Sequence, residues 1–132
     1  MNAPAHHDRH VIVAGFGPVG RVTTEKLRAS GAQVTIIELN QRTVENQSKL
    51  GVRIVHGDAT DEQVLREAGV ESACALVIAM PDEDTAIAAC EVARRLSPDL
   101  FIAARTNFLS KGMLAQQIGA SHVVVEEVVT AN

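Results

Sequence analysis

Tryptophan and tyrosine are absent, and the 132 residues include only three phenylalanines. The chain therefore absorbs very weakly in the near ultraviolet, and any bound chromophore would dominate its spectrum. Without tyrosine there is no Ser/Tyr/Lys catalytic set, and no His/Asp constellation replaces it. Cysteine is nearly as scarce. Cys74 and Cys90 are too few and too widely spaced for a disulfide framework or a zinc site. Their apolar neighbours predict small buried thiols in a reducing compartment. There is no basic run and the net charge is −4, so the footprint of a nucleic-acid binder is missing. No stretch approaches the about 18 consecutive apolar residues of a membrane-spanning helix. The first residues carry no apolar signal-peptide segment, which fits a cytoplasmic setting.

What remains is 46% hydrophobic and 21% charged, an ordinary balance for a globular chain of one domain. Residues 1–8 read as a flexible leader or linker, and residues 9–132 as the domain. Apolar strand-like runs alternate with helical periods. Strands are expected at 11–14, 33–38, 52–55, 75–79, 100–104 and 122–125. Helices are expected at 18–30, 40–50, 60–68, 82–96 and 107–118. Val19, Val22, Lys26 and Leu27 are spaced for one face of the first helix. Thr60 and Gln63 fit a capping box at the start of the third. Ala86, Ala89, Val92, Ala93 and Leu96 form a small-residue face on the fourth. Gly112 weakens the fifth. Such alternation predicts an α/β, Rossmann-like, doubly wound parallel sheet of six strands in the order 3-2-1-4-5-6.

The stretch around which the rest is arranged is His10 to Gly20, where an apolar strand runs into Gly15-Phe16-Gly17-Pro18-Val19-Gly20. This G-x-G-x-x-G loop, set between a strand and a helix, is a dinucleotide-binding fingerprint. Gly15 allows the tight exit, Gly17 lets backbone approach a pyrophosphate, and Gly20 lets the helix sit against the sheet. Phosphates would lie over the N–H groups within residues 17–20, where only Pro18 has none, at the positive helix end.

Glu38 lies 18 residues beyond Gly20 and ends the second strand, where a carboxylate accepts from both adenosine ribose hydroxyls. A 2′-phosphate would meet like charge there, which favours NAD(H) or an adenine nucleotide (AMP, ADP or ATP) and disfavours NADP. Arg42 could pair with Glu38 or offer charge to a 2′-phosphate. Asp58 and Ala59 follow the third strand, beside an adenine ring. Asp58 either accepts from the exocyclic amine or only orders the turn. Ala79 and Met80 end the fourth strand, where they could flank the nucleotide. Asp82, Glu83 and Asp84 read as charges on a helix first turn and not as metal ligands. Arg105 ends the fifth strand and could reach a phosphate, a neighbouring subunit, Asp82 or Glu126. Asn107 reads as a helix cap first and a ligand contact second. His56 and His122 lack the partners that acid–base chemistry requires.

HVIVAGFGPVGR, the strand ending in Ile37-Glu38, VHGDAT at 55–60, AMPDEDTAIAACEVAR at 79–94, Ala104 to Asn107 and GASHVVVEE at 119–127 together resemble a known family. It is the RCK-N, KTN or TrkA-N domain that gates potassium channels and transporters. The chain is most similar to the copy fused behind monovalent cation:proton antiporters of the glutathione-regulated potassium-efflux type. The resemblance implies a sensor of NAD(H), AMP, ADP or ATP on the cytoplasmic face of a membrane protein, working through homodimers and rings. It places the phosphates on residues 15–20, the ribose on Glu38, the adenine edge on Asp58 and Ala59, and a phosphate or a neighbouring subunit on Arg105. The chain itself is expected to be one module, without the membrane portion and without a C-terminal RCK lobe. A regulatory nucleotide-binding domain with no catalytic residue is thus the leading expectation. The alternatives are the cofactor half of an NAD-dependent oxidoreductase and a ligand-free oligomerisation module.

Overall fold

The computed structural model describes residues 9–106 and 122–125. The expected leader, the helix at 107–118 with Asn107 and Gly112, and the tail after 125 lie outside the described residues. So do the side chains of Arg105 and His122.

The strands are β1 (His10–Ala14), β2 (Gln33–Glu38), β3 (Arg53–His56), β4 (Ala75–Ile78), β5 (Phe101–Thr106) and β6 (His122–Val125). They form one parallel sheet in the order β3-β2-β1-β4-β5-β6, as the alternation predicts. The helices are α1 (Pro18–Ala29), α2 (Gln41–Gln47, followed by a 3-10 turn at Ser48–Leu50), α3 (Glu62–Ala68) and α4 (Glu83–Leu96).

Strand residues alternate between two buried faces. Ile12, Ala14, Leu76, Ile78 and Ile102 pack with Leu65 of α3 and Ala89, Cys90 and Ala93 of α4. Val11, Val13, Val34 and Ile36 pack on the other side with Phe16 and Leu27. Small residues on α4 let that helix lie close to β5, and Cys90 joins the expected alanine face.

Three expectations change. On α1 the buried stripe is Gly20, Thr24 and the partly buried Leu27, at the i, i+4, i+7 spacing of one helix face. Val19 and Val22 face outward, 40% and 50% exposed. The inward stripe is hard to see because its first member is a glycine. The cap of α3 is Asp61, whose side chain accepts from the Gln63 amide at 2.9 Å, and not Thr60. Thr60 is instead held by Asp58. Finally, Cys74 is exposed while Cys90 is buried. Cys74 lies just before β4, where its neighbours Ala73 and Ala75 pack inward and leave it outside. Burial pushes the Cys90 thiol up to about 11, so it stays protonated and inert.

Candidate functional site

Parallel strands end together, and the reversal of strand order between β1 and β4 opens a crevice at their carboxyl ends. A cleft of about 350 Å³ lies there. Its floor is the glycine turn. Gly15 has φ +101°, and a Cβ on it would stand 3.1 Å from Met80 Cγ and 3.2 Å from backbone atoms of Ala79 and Met80. Its amide donates to the Ile37 carbonyl at 2.8 Å, tying the turn to β2. Gly17 faces open space, with nothing within 4 Å of an added Cβ. A Cβ on Gly20, by contrast, would lie 1.9 Å from the Gly15 carbonyl oxygen. Gly17 therefore leaves room for a ligand, while Gly20 allows α1 to cross under the turn.

The start of α1 lacks compensation. Its cap residue is Gly17, which offers no side chain, Pro18 follows in the first turn, and no acidic residue stands in that turn. The other helices over the rim differ. Asp82 caps α4 by accepting from the Thr85 amide at 2.9 Å and from the Thr85 hydroxyl, and Glu83 and Asp84 follow it. Asn40 accepts from the Thr43 amide at the start of α2. Helix N–H groups left without acceptors, at the positive end of the helix dipole, suit an anion.

Glu38 reaches into the cleft from the end of β2. Its Oε1 accepts from the Phe16 amide at 2.7 Å and its Oε2 from the Asn40 amide at 2.9 Å. The glycine turn and the ribose candidate are thus already joined, which the sequence spacing does not reveal. A carboxylate offers about four acceptor positions, so two amide bonds leave room for further donors. Among the described residues no ion pair joins Arg42 to Glu38.

Asp58 accepts from the Thr60 amide at 2.8 Å and the Thr60 hydroxyl at 2.7 Å through Oδ1. Of the two roles open to it, ordering the turn is present. It also lines the cleft beside Ala59, whose side chain is buried. Ala79 and Met80 form the wall beyond Gly15.

Of the other predicted residues, Phe16 lines the cleft, but its ring is buried on the α1 side with the Arg21 guanidinium 5.5 Å above it. Pro18, Val19 and Gly20 stand outside the cleft wall. Arg105 continues β5 opposite Val124, and its side chain is outside the described part. His56 is exposed and donates through Nε2 to the Leu39 carbonyl at 3.0 Å, a strand-edge role. The sequence reading missed Leu39, Thr43 and Thr85, all on the wall. Leu39 is 65% exposed, an apolar lip next to Glu38. Its only sequence signal is a large apolar residue directly after the acidic strand end. No three metal-ligating side chains gather among the described residues.

The cleft so built brings together Gly17 at the uncompensated helix start, the carboxylates of Glu38, Asp58 and Asp82, and the apolar side chains of Leu39 and Met80. No Lys or Arg lines it among the described residues. No helix among them is long and apolar enough to cross a membrane.

Comparison with known proteins agrees with this architecture. The putative cation/proton antiporter YbaL of Escherichia coli (strain K12) is 32% identical over 118 residues, covering 89% of this chain and 21% of YbaL. The glutathione-regulated potassium-efflux system protein KefC of Escherichia coli O157:H7 is 31% identical over 109 residues, covering 83% of this chain and 18% of KefC. The chain thus spans about a fifth of the length of these relatives. The crystal structure of the TrkA-N domain of E. coli inner membrane protein ybaL superposes with a TM-score of 0.88 at 32% identity, covering 93% of this chain and 91% of that one. The Kef CTD of Shewanella denitrificans, in its AMP-bound form, superposes at 0.79 with 28% identity, covering 93% and 74%. The TrkA-N domain model matches residues 11–126, and the chain belongs to that family.

Proposed function

We propose that this chain is the ligand-sensing domain of a cation transport protein, binding an adenine nucleotide and acting through occupancy, without chemistry. The observation that carries this reading is the pairing of Glu38 with the open start of α1 in one cleft. A ribose diol would donate to the free positions on Glu38. The phosphates would then fall at Gly17, toward the N–H groups of residues 17, 19 and 20, where the helix end is positive and lacks acid. The adenine would lie between Leu39 and Met80, with the edge of the ring at Asp58 and Ala59. Arg105 would meet a terminal phosphate or a second subunit.

The ligand is NAD(H) or one of AMP, ADP and ATP, all of which carry the ribose that Glu38 reads. NADP is disfavoured, since its 2′-phosphate would meet that carboxylate. The AMP-bound Kef domain supports this ligand class. The named functions of YbaL and KefC support a transport role for the whole protein. We place the domain on the cytoplasmic face of a membrane antiporter, channel or transporter for potassium or another cation, working as a homodimer. Control then rests on linkage. A nucleotide that binds one arrangement of subunits better by about 1–3 kcal/mol changes its population 5–150-fold.

Calorimetric titration with NAD, NADH, NADP, AMP and ATP tests the reading. At least one ligand other than NADP should bind saturably. Glu38→Gln should weaken it about ten- to a hundredfold, the effect of losing a charged acceptor. Failure of all five to bind overturns the proposal, and a preference for NADP overturns the role of Glu38.

A further inference from the structure

A second concavity, of about 610 Å³, lies at the opposite end of the same strands. It is bounded by the starts of β1, β2 and β3, the end of α1 and the turn after α3. Arg28, Arg53, His10, Thr35 and Ser72 stand on its wall, and among the described residues no carboxylate does. In a chain of net charge −4 that is an unusual separation.

Each arginine is fixed by a backbone carbonyl. Arg53 donates through Nη2 to the Glu67 carbonyl at 2.8 Å, and Arg28 through Nη1 to the Leu50 carbonyl at 3.2 Å. A guanidinium carries five N–H donors, so one such bond orients it and leaves others available. Among the described residues neither arginine is paired with a carboxylate. His10 is set by Thr35, whose buried hydroxyl stands 2.8 Å from His10 Nε2. Burial, and then the charge of Arg53, hold His10 below its ordinary 6.5. The positive charge in the hollow therefore comes from the two arginines. Two like charges sharing one hollow repel each other, and with no acid among the described residues of its wall a bound anion relieves that repulsion. Planar guanidinium forks match the oxygens of phosphate.

We infer that this hollow is a binding site for a small phosphate dianion, inorganic phosphate or a phosphate monoester, held between Arg28 and Arg53 with His10 and Ser72 at its edge. The site is separate from the nucleotide cleft and does not depend on the proposed function. Soluble phosphates and phospholipid headgroups share this chemistry, and the test separates them.

Amide resonances of the full 132-residue chain are followed while inorganic phosphate is added, with chloride at matched ionic strength as control. Saturable shifts are expected at Thr35, Arg53 and Ser72, with Gly17 and Leu39 unmoved. Ser72→Asp puts a carboxylate into the hollow at an exposed position and removes neither arginine anchor. It should weaken phosphate at least about tenfold, as should Arg53→Gln. Nucleotide titrations of Ser72→Asp should match those of the parent. Co-sedimentation with vesicles of phosphatidic acid in phosphatidylcholine, lost in Ser72→Asp and accompanied by the phosphate shifts, supports the site with a lipid as its source. Phosphate shifts without co-sedimentation support it with a soluble source. No saturable shift, shifts that persist in Ser72→Asp, or vesicle binding without any response to free phosphate would each overturn the inference.

Discussion

Gly17 and Gly20 belong to the same short motif, but the space around them separates their roles. At Gly20 an added methyl meets the Gly15 carbonyl oxygen at 1.9 Å, and a backbone oxygen in a tight turn has nowhere to go. Gly20→Ala should therefore lower stability by about 1–3 kcal/mol, the usual cost of overpacking, or prevent folding. At Gly17 the same methyl meets nothing within 4 Å, and φ is −81°, a value any residue adopts. Gly17→Ala should keep the unfolding free energy within about 0.5 kcal/mol of the parent, as surface substitutions do. It should still weaken the nucleotide, because the methyl stands where a phosphate would approach. Urea unfolding followed by far-ultraviolet circular dichroism measures the first quantity and calorimetry the second. Equal stability loss in the two variants would contradict this division.

Helix ends show where sequence reading succeeds and where it stops. The order of strands and helices was legible because both faces of the parallel sheet are buried, and its strands read as short apolar runs between turn residues. The glycine turn and Glu38 were legible because their spacing follows from a strand, a turn and a helix of fixed geometry. The start of α3 was not. Thr60 and Asp61 are both good caps, and the choice depends on Asp58 binding the Thr60 hydroxyl at 2.7 Å, a contact between neighbours that spacing does not encode. The α1 face was misassigned because glycine carries no hydrophobic signal. Leu39, Thr43 and Thr85 escaped because their places on the cleft wall depend on how α2 and α4 enter the rim. The capping assignment is testable. Asp61→Ala removes the acceptor for the Gln63 amide and should cost about 1 kcal/mol. The loss should appear as earlier hydrogen exchange across α3, with α4 unchanged. In Thr60→Ala the cap of α3 remains, and exchange in the first turn of α3 should stay as in the parent. A larger effect on that turn from Thr60→Ala than from Asp61→Ala would restore the capping-box reading.

Across the molecule, β1 and β2 run from one proposed binding site to the other. His10 and Thr35 lie at the hollow, while Gly15 and Glu38 lie at the cleft. The sheet between them is filled by fully buried side chains, including Ile12, Val13 and Ile36, and forms a stiff floor. Binding on such a floor acts mainly by mass action. A nucleotide at a hundred times its dissociation constant should stabilise the fold by about 2.7 kcal/mol. For a domain of 132 residues this corresponds to a rise of about 10 °C in the thermal midpoint. The rise should grow with the logarithm of ligand concentration, and Glu38→Gln should shift the curve to higher concentration without changing its slope. A sensing domain returns its ligand intact, so chromatography after the melt should recover the nucleotide unaltered. The absence of tryptophan and tyrosine makes circular dichroism the practical probe of the melt. A midpoint indifferent to nucleotide would show that the cleft is not a binding site in this chain. Consumption of the nucleotide would show that the domain transforms what it is proposed only to sense.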